Sequence, residues 1–348
     1  MATLAGSDID AGIVKATTHG TAVQAAVGGR LKVTEIRHNQ DTQALADNTI
    51  GSGKSMETNQ EIGRRDDTVG FTGYFGFQNF APLAIHSFLQ AAATATEVTG
   101  GQADYRHRLT HSRPSSRSPY SIAFEATTTE VFEYPSCYCT ALSLKTEGGP
   151  GRIVCSADYI ANARVLNTAV NTNANLASAT EVDTELAAFT FADSFWIDTQ
   201  ASGSLASGDA LAITDYSIDL VQPQSFPFEI KGAAGYGAPI YDGLFAGTLT
   251  VTLRNMSALT YFTAHDAETT YKSLFTVEGS QIGSGTNKSL KIFAPRMKLI
   301  SSPSWSPSSP GENSQTLTFA LFEASSAPTG MDSVKPYVEI VNGRTTDY

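Results

Sequence analysis

The chain echoes itself weakly, and no other feature constrains its fold as much. A strand pattern, a long polar stretch, a cleanly alternating strand, a short helical stretch and a closing hairpin occur once before residue 165. They occur again, in the same order, after residue 186. The first pass runs through LKVTEIR from Leu31, GFTGYFGFQ from Gly70, APLAIHSFLQ from Ala81 and CTALSLKTEGGPGRIVCSADYI from Cys139. The second runs through LAITDYSIDL from Leu211, GTLTVTLRN from Gly247, SALTYFTAH from Ser257, and PRMKLISS from Pro295 with SQTLTFALFE after it. Leu31 to Phe71 spans 40 residues and Leu211 to Thr248 spans 37. A repeat of that size predicts two related domains, each with its own core. The expected divisions of the 348 residues are a first domain over 1–165, a linker over 166–185, a second domain over 186–325 and a C-terminal arm over 326–348.

Periodicity supplies the elements. Phe71, Gly73, Phe75 and Phe77 fall on one face of a strand, with period 2. Thr248, Thr250 and Thr252 alternate with Leu249, Val251 and Leu253, a half-buried strand with one dry and one wet face. Asp215, Ser217 and Asp219 share a face opposite Tyr216, Ile218 and Leu220. Leu83, Ile85, Phe88 and Leu89 suit the apolar stripe of a short helix. Residues 1–30 read as an extended arm and 41–68 as a long polar loop. Gly148, Gly149, Pro150 and Gly151 supply turn chemistry. The first copy carries an insertion near 97–120 that contains YRHRLTHSRPSSRSPY. The expectation is a mainly β chain of two tandem β-sandwich or barrel domains, each flanked by a short α-helix.

Charge narrows the function. Charged residues make up 16% of the chain and the net charge is −11. Residues 1–165 hold 14 basic against 16 acidic side chains; residues 166–348 hold 9 against 18. Gripping nucleic acid needs Lys and Arg to displace counterions, so an acidic balance argues against it. A surface that nucleic acid slides past is compatible with it. No run approaches 18 apolar residues, which argues against a membrane-spanning helix. No basic region followed by an apolar core opens the chain, and the expectation is assembly in a cytoplasm.

Several motifs point to chemistry without completing it. GSGKS at Gly51–Ser55 ends like a phosphate-binding loop, but Asn48 stands where the pattern needs its first glycine. His107 and His111 are four apart, yet Arg106, Arg108, Arg113 and Arg117 crowd them, an unfavourable setting for a metal ion. Those four arginines read instead as a solvated loop or as a basic segment that docks on an acidic neighbouring subunit. Cys137, Cys139 and Cys155 lie on the two arms of one predicted hairpin and read as small buried residues. No G-x-S-x-G elbow is present. An enzyme is not expected, nor any cofactor or metal.

With these elements in place, the chain resembles the major tail tube proteins of long-tailed, siphovirus-like bacteriophages. The resemblance rests on GFTGYFGFQ after a long stretch, the Leu-rich short helix, the CTALSLKTEGGPGRIVCSADYIANA hairpin, and FTFADSFWID followed by ITDYSIDLVQ and GTLTVTLRN. It covers roughly residues 25–325. It implies a structural virion protein that polymerises into stacked rings, a conduit for DNA ejected into the host. It implies homotrimeric rings of pseudo-sixfold symmetry, since two domains in each of three chains give six similar lobes. The implied partners are further copies of the chain, a tape measure, a tail terminator and baseplate or tip proteins. DNA passes only in transit, and no membrane is involved. The implied location is the virion tail, assembled in the host cytoplasm. Asp215, Ser217, Asp219, Thr248, Thr250 and Thr252 are the expected lumen-facing residues. The alternative is another virion β-sandwich, a capsid decoration or receptor-binding module.

Overall fold

A computed structural model describes residues 9–26, 28–46, 60–113, 117–148, 151–190, 193–227, 237–254, 259–307 and 313–348. The chain is mainly β, and its strands pair antiparallel. In chain order the longer elements are β1 (Ala11–Lys15), β2 (Glu35–Ala46), β3 (Gln60–Tyr74), α1 (Phe80–Leu89), β4 (Tyr105–His111), β5 (Tyr120–Glu125), β6 (Val131–Thr146) and β7 (Gly151–Ala161). They continue as α2 (Asn173–Ser178), β8 (Ser194–Thr199), β9 (Ile213–Val221), β10 (Ala246–Leu253), α3 (Thr260–Asp266) and β11 (Tyr271–Gln281). The last are β12 (Asn287–Leu299), β13 (Ser304–Pro307), β14 (Asn313–Leu321) and β15 (Tyr337–Asn342). Among the described residues no helix is long and apolar enough to cross a membrane.

Two runs of strands pass through both halves of the chain. The first has the order β2-β3-β7-β6-β9-β10-β14-β13. The second has the order β8-β11-β12-β15-β4. Alternation explains why the layers meet. Along β9 and β10 the odd and even positions separate into buried Tyr216, Ile218, Leu220, Leu249 and Val251 and a solvated polar set. Tyr216 of β9 stacks on Phe275 of β11 with ring centroids 4.0 Å apart, joining one run to the other. The expectation of a separate core for each copy is not met. One apolar cluster runs from Ile13 and Phe71 through Tyr216 and Phe275 to Phe319 and Tyr348, because both runs of strands are continuous across the halves.

The helix predicted around Leu83 is α1. Asn79 caps it, its Oδ1 accepting from the Ala81 amide at 2.9 Å, and Pro82 sits in the first turn, where its missing N–H costs nothing. Every residue of α1 is buried. Phe80 meets Phe71 of β3 edge-on at 5.4 Å. Gly73 lies beneath this contact. A Cβ there would come within 2.8 Å of the Phe80 ring and 3.0 Å of the Val33 backbone, so the close approach needs glycine.

Four expectations about irregular segments are corrected. The supposed loop over 41–68 is largely strand: Asp41–Ala46 pairs with Gln60–Asp66, and 47–59 lie outside the described residues. Its polar sequence hides the pairing because a run without apolar alternation carries no strand signal. The N-terminal arm contains β1, which pairs with β5; residues 1–8 lie outside the described set. The C-terminal arm contains β15, which lies between β12 and β4 and is buried at all six positions. The linker contains α2, capped by Thr172, with Leu176 fully buried.

Candidate functional site

The polar face of the first run of strands is the site. Its rows follow from register. Glu35 of β2 stands beside Thr72 of β3, then Ser156 of β7, Ser143 of β6, Asp219 of β9, Thr248 of β10 and Ala320 of β14. The row on one side runs Arg37, Gly70, Asp158, Ala141, Val221, Ala246. The row on the other side runs Tyr74, Val154, Lys145, Ser217, Thr250, Thr318. A last row brings Asp215 to Thr252, Thr316 and Ser304. The period of two sends each row to the same side, so eight strands present one continuous face.

All six residues expected on a wet wall meet here. Asp215 faces Thr252, Ser217 faces Thr250 and Asp219 faces Thr248, pair by pair. Asp215 and Asp219 are exposed, and the others are half-buried. Hydrogen bonds link side chains along the face. Ser217 Oγ donates to Asp219 Oδ2 at 2.8 Å, and Thr214 Oγ1 donates to Asp215 Oδ2 at 3.1 Å. The Thr252 and Thr316 hydroxyls lie 3.4 Å apart and those of Thr72 and Ser156 3.0 Å apart.

Sequence reading missed the half of this face built by the first copy. Thr72, Ser143, Ser156 and Asp158 belong to it, and so do Glu35, Arg37 and Lys145. The signal was present: SLK on β6 and CSAD on β7 alternate as β9 does. The face is therefore less uniformly acidic than its second half. Arg37 answers two carboxylates, reaching Glu35 at 2.7 Å and Asp158 at 2.9 Å. Lys145 is exposed beside Ser217.

The basic segment takes a different form from the one expected. Arg106 and Arg108 lie on strand β4, and Arg113 and Arg117 follow its end. Arg106 is exposed. Arg108 is bound within the chain, to Glu339 at 2.8 Å and to Asp332. Arg113 donates to the Gly243 carbonyl and lies over the Tyr241 ring at 5.1 Å. Arg117 is only 7% exposed and stands between the Tyr138 and Tyr241 rings at 5.5 and 5.4 Å. The acidic groups that Arg108 meets come from the C-terminal segment of its own chain. That long-range pairing has no local sequence signal.

His107, His111 and the three cysteines are buried. His107 and His111 share the inward face of β4 and are 1% and 8% exposed. His107 Nε2 contacts the Arg344 carbonyl at 2.9 Å, and His111 Nε2 contacts Gln222 Oε1 at 3.3 Å. Cys137, Cys139 and Cys155 are buried free thiols, and burial pushes Cys139 up to about 12, so it stays protonated. Among the described residues no group of three His, Cys, Asp or Glu side chains could hold a metal ion. Gly51–Ser55 lies outside the described residues. No protein-family model matches the chain, and no curated protein matches it.

Proposed function

We propose that the chain is a structural subunit of a hollow tube, a tail tube protein of the kind long-tailed bacteriophages use to conduct DNA. The carrying observation is the eight-strand polar face. Hydroxyls and short carboxylates dominate it, which suits a surface that a polyanion passes without sticking. The strand order of the first quartet, β2-β3-β7-β6, recurs in the second, β9-β10-β14-β13: a hairpin, then the last strand of the copy, then the one before it. Each quartet is read as one tube domain. The role is structural, and the location is a virion tail assembled in the host cytoplasm.

Strand arithmetic favours three chains to a ring. Eight strands from each of three chains make 24. At about 4.8 Å per strand, a closed wall of that number has a backbone diameter of about 37 Å untilted and about 48 Å at a tilt of about 40°. Side chains of about 5 Å on each side leave room for a DNA duplex and its water. Two chains would give about 25 to 32 Å between backbones by the same geometry, too narrow once side chains are added. Closure also removes the exposed edges of the open sheet. The β2–β3 hairpin continues past the end of β7 for six pairs, from Asp41–Asp66 to Ala46–Gln60. That projection, about 20 Å long, is read as an arm that reaches the next ring.

The direct test is electron microscopy of the purified protein at high concentration. Rings or tubes with three chains and six similar lobes are expected. A protein that remains monomeric would discard the reading and favour a decoration or receptor-binding module, to be sought by binding to capsids or glycans. A second expectation concerns the wall. Replacing Asp215 and Asp219 with Lys adds four charges per chain, about twelve per ring, opposite the phosphates. Assembly should persist, since both side chains are exposed, while DNA release in a low-salt ejection assay slows at least about tenfold. Release at the unaltered rate in assembled double-variant tubes would show that these residues do not line the path.

A further inference from the structure

A β-bulge sets one lysine apart in the second run of strands. Tyr271 of β11 pairs with Met297 of β12, and Ser273 pairs with Ala294, so β12 carries one residue more across this step. Pro295 lies in the extra stretch and has no N–H to give the ladder. Lys272 sits at the irregularity, opposite Asp198 of β8. Bulges re-aim side chains. Tyr271 and Phe275 belong to the main apolar cluster, whereas Leu274 packs on a separate one with Phe293, Met331 and Tyr337. Lys272, two residues from Leu274, shares that second face. It is nonetheless fully buried, at 0% exposure.

Two segments far apart in the chain bury it. Nζ donates to the Ser202 carbonyl at 2.9 Å, to that of Gly203 at 2.6 Å and to that of Thr329 at 3.3 Å. An ammonium has three N–H donors, and three main-chain oxygens take them. Asp198 Oδ1 instead accepts from the Thr199 amide at 2.6 Å. Carbonyl dipoles that converge in this way replace the hydration shell of a cation. The strap between β14 and β15, residues 322–336, is shaped for the contact. Its Met331 amide closes a turn on the Pro328 carbonyl at 3.0 Å, and Gly330 within that turn has φ of 80°. A Cβ on Gly330 would come within 2.8 Å of Ser204 Oγ and 2.9 Å of Ser204 Cβ, so glycine lets the strap meet the 199–204 turn.

We propose that these three carbonyls form a binding site for a primary ammonium ion, that the resident ion is the chain's own Lys272, and that it latches the strap and the 199–204 turn together over β11. The strap leads into β15, so the latch fixes where that strand enters between β12 and β4. It does so whether or not the chain builds a tube.

Hydrogen exchange followed by mass spectrometry tests the latch. Lys272→Met keeps an apolar stem and removes the donors. Amides in 199–204 and 328–332 are expected to exchange together at least about tenfold faster, because hydrogen bonds from a charged group are lost from both segments. Amides of β9 and β10 should exchange at the wild-type rate. Lys272→Ala removes the equivalent of one propylammonium ion. Added n-propylammonium chloride is therefore expected to restore slow exchange in both segments of that variant. Tetramethylammonium chloride at the same ionic strength, a cation without N–H donors, should not. The unaltered protein supplies a measurement that needs no variant to fold: brief acetylation with acetic anhydride should modify Lys272 at least about tenfold more slowly than the exposed Lys145. Wild-type exchange in both segments of Lys272→Met overturns the latch. Equal exchange of Lys272→Ala in the two salts overturns the ammonium site. Acetylation of Lys272 as fast as Lys145 overturns both.

Discussion

A chain ending after Pro336 is expected not to fold. β15 looks peripheral in sequence but is central in space. Tyr337 stacks on Phe293 with centroids 4.3 Å apart, and Val338 and Ile340 are 3% and 0% exposed. Asn342 is fully buried, its Nδ2 donating to the Phe77 carbonyl at 2.6 Å and to the Tyr348 hydroxyl at 2.8 Å. The Tyr348 ring in turn packs edge-on against His107 at 4.8 Å. Truncating one large buried side chain costs about 2–5 kcal/mol. Losing several at once exceeds the roughly 5–15 kcal/mol that keeps a typical domain folded. Removal also strips β4 and β12 of a partner along six and five residue pairs. Circular dichroism should show no cooperative melt, and proteolysis should be rapid. The milder Tyr337→Ala should lose about 3–5 kcal/mol in urea unfolding. A truncated chain that melts cooperatively within a few degrees of the full one would show that β15 is dispensable.

Acidification is expected to destabilise the fold through its interior before it acts on the surface. His86 of α1 is 2% exposed and hydrogen-bonded to the Tyr120 hydroxyl. Burial, with the charges of Lys15 and Arg344 adding, holds its pKa down to about 3. Burial likewise holds His111 down to about 4, against its hydrogen bond to Gln222 Oε1 and with help from Lys335, Arg113 and Arg117. Burial lowers His107 as well. A free imidazole titrates near about 6.5. Between that value and the folded one, the unfolded chain binds the proton and the folded chain does not. The stabilisation is therefore complete above about 6.5 and is lost progressively as pH falls from there toward 3. For His86 alone it is worth about 5 kcal/mol over that span. His86→Asn keeps an amide near the position of Nδ1 and does not titrate. Its stability should fall less steeply than wild type between pH 6.5 and 4 in urea titrations. Parallel curves for the two proteins would remove His86 as the cause.

Much of the polar face was legible in the sequence, and the reason is local. The period of two places Asp215, Ser217 and Asp219 on one side of β9, and Thr248, Thr250 and Thr252 on one side of β10, whatever their neighbours. Capping and apolar spacing mark α1 for the same reason. The arms of the 41–68 stretch carried no such mark, because their few apolar residues do not alternate along the sequence. Nor did β4 announce its partner: the strand that pairs with it is 231 residues away at Glu339. Arg117 was read as a contact for another subunit because arginine is expected to seek a carboxylate. In the fold it lies between two tyrosine rings, where cation–π attraction replaces an ion pair.

Local pattern alone establishes that the chain is mainly β, that its motifs repeat, and that each alternating strand has a wet face. Backbone geometry and side-chain burial act residue by residue, and a single strand displays them. Tertiary pairing alone makes the two wet faces one surface and gives both copies one core. Those facts depend on register between segments far apart in the chain. Register is set by the closest packing of whole faces, which no short window of sequence contains.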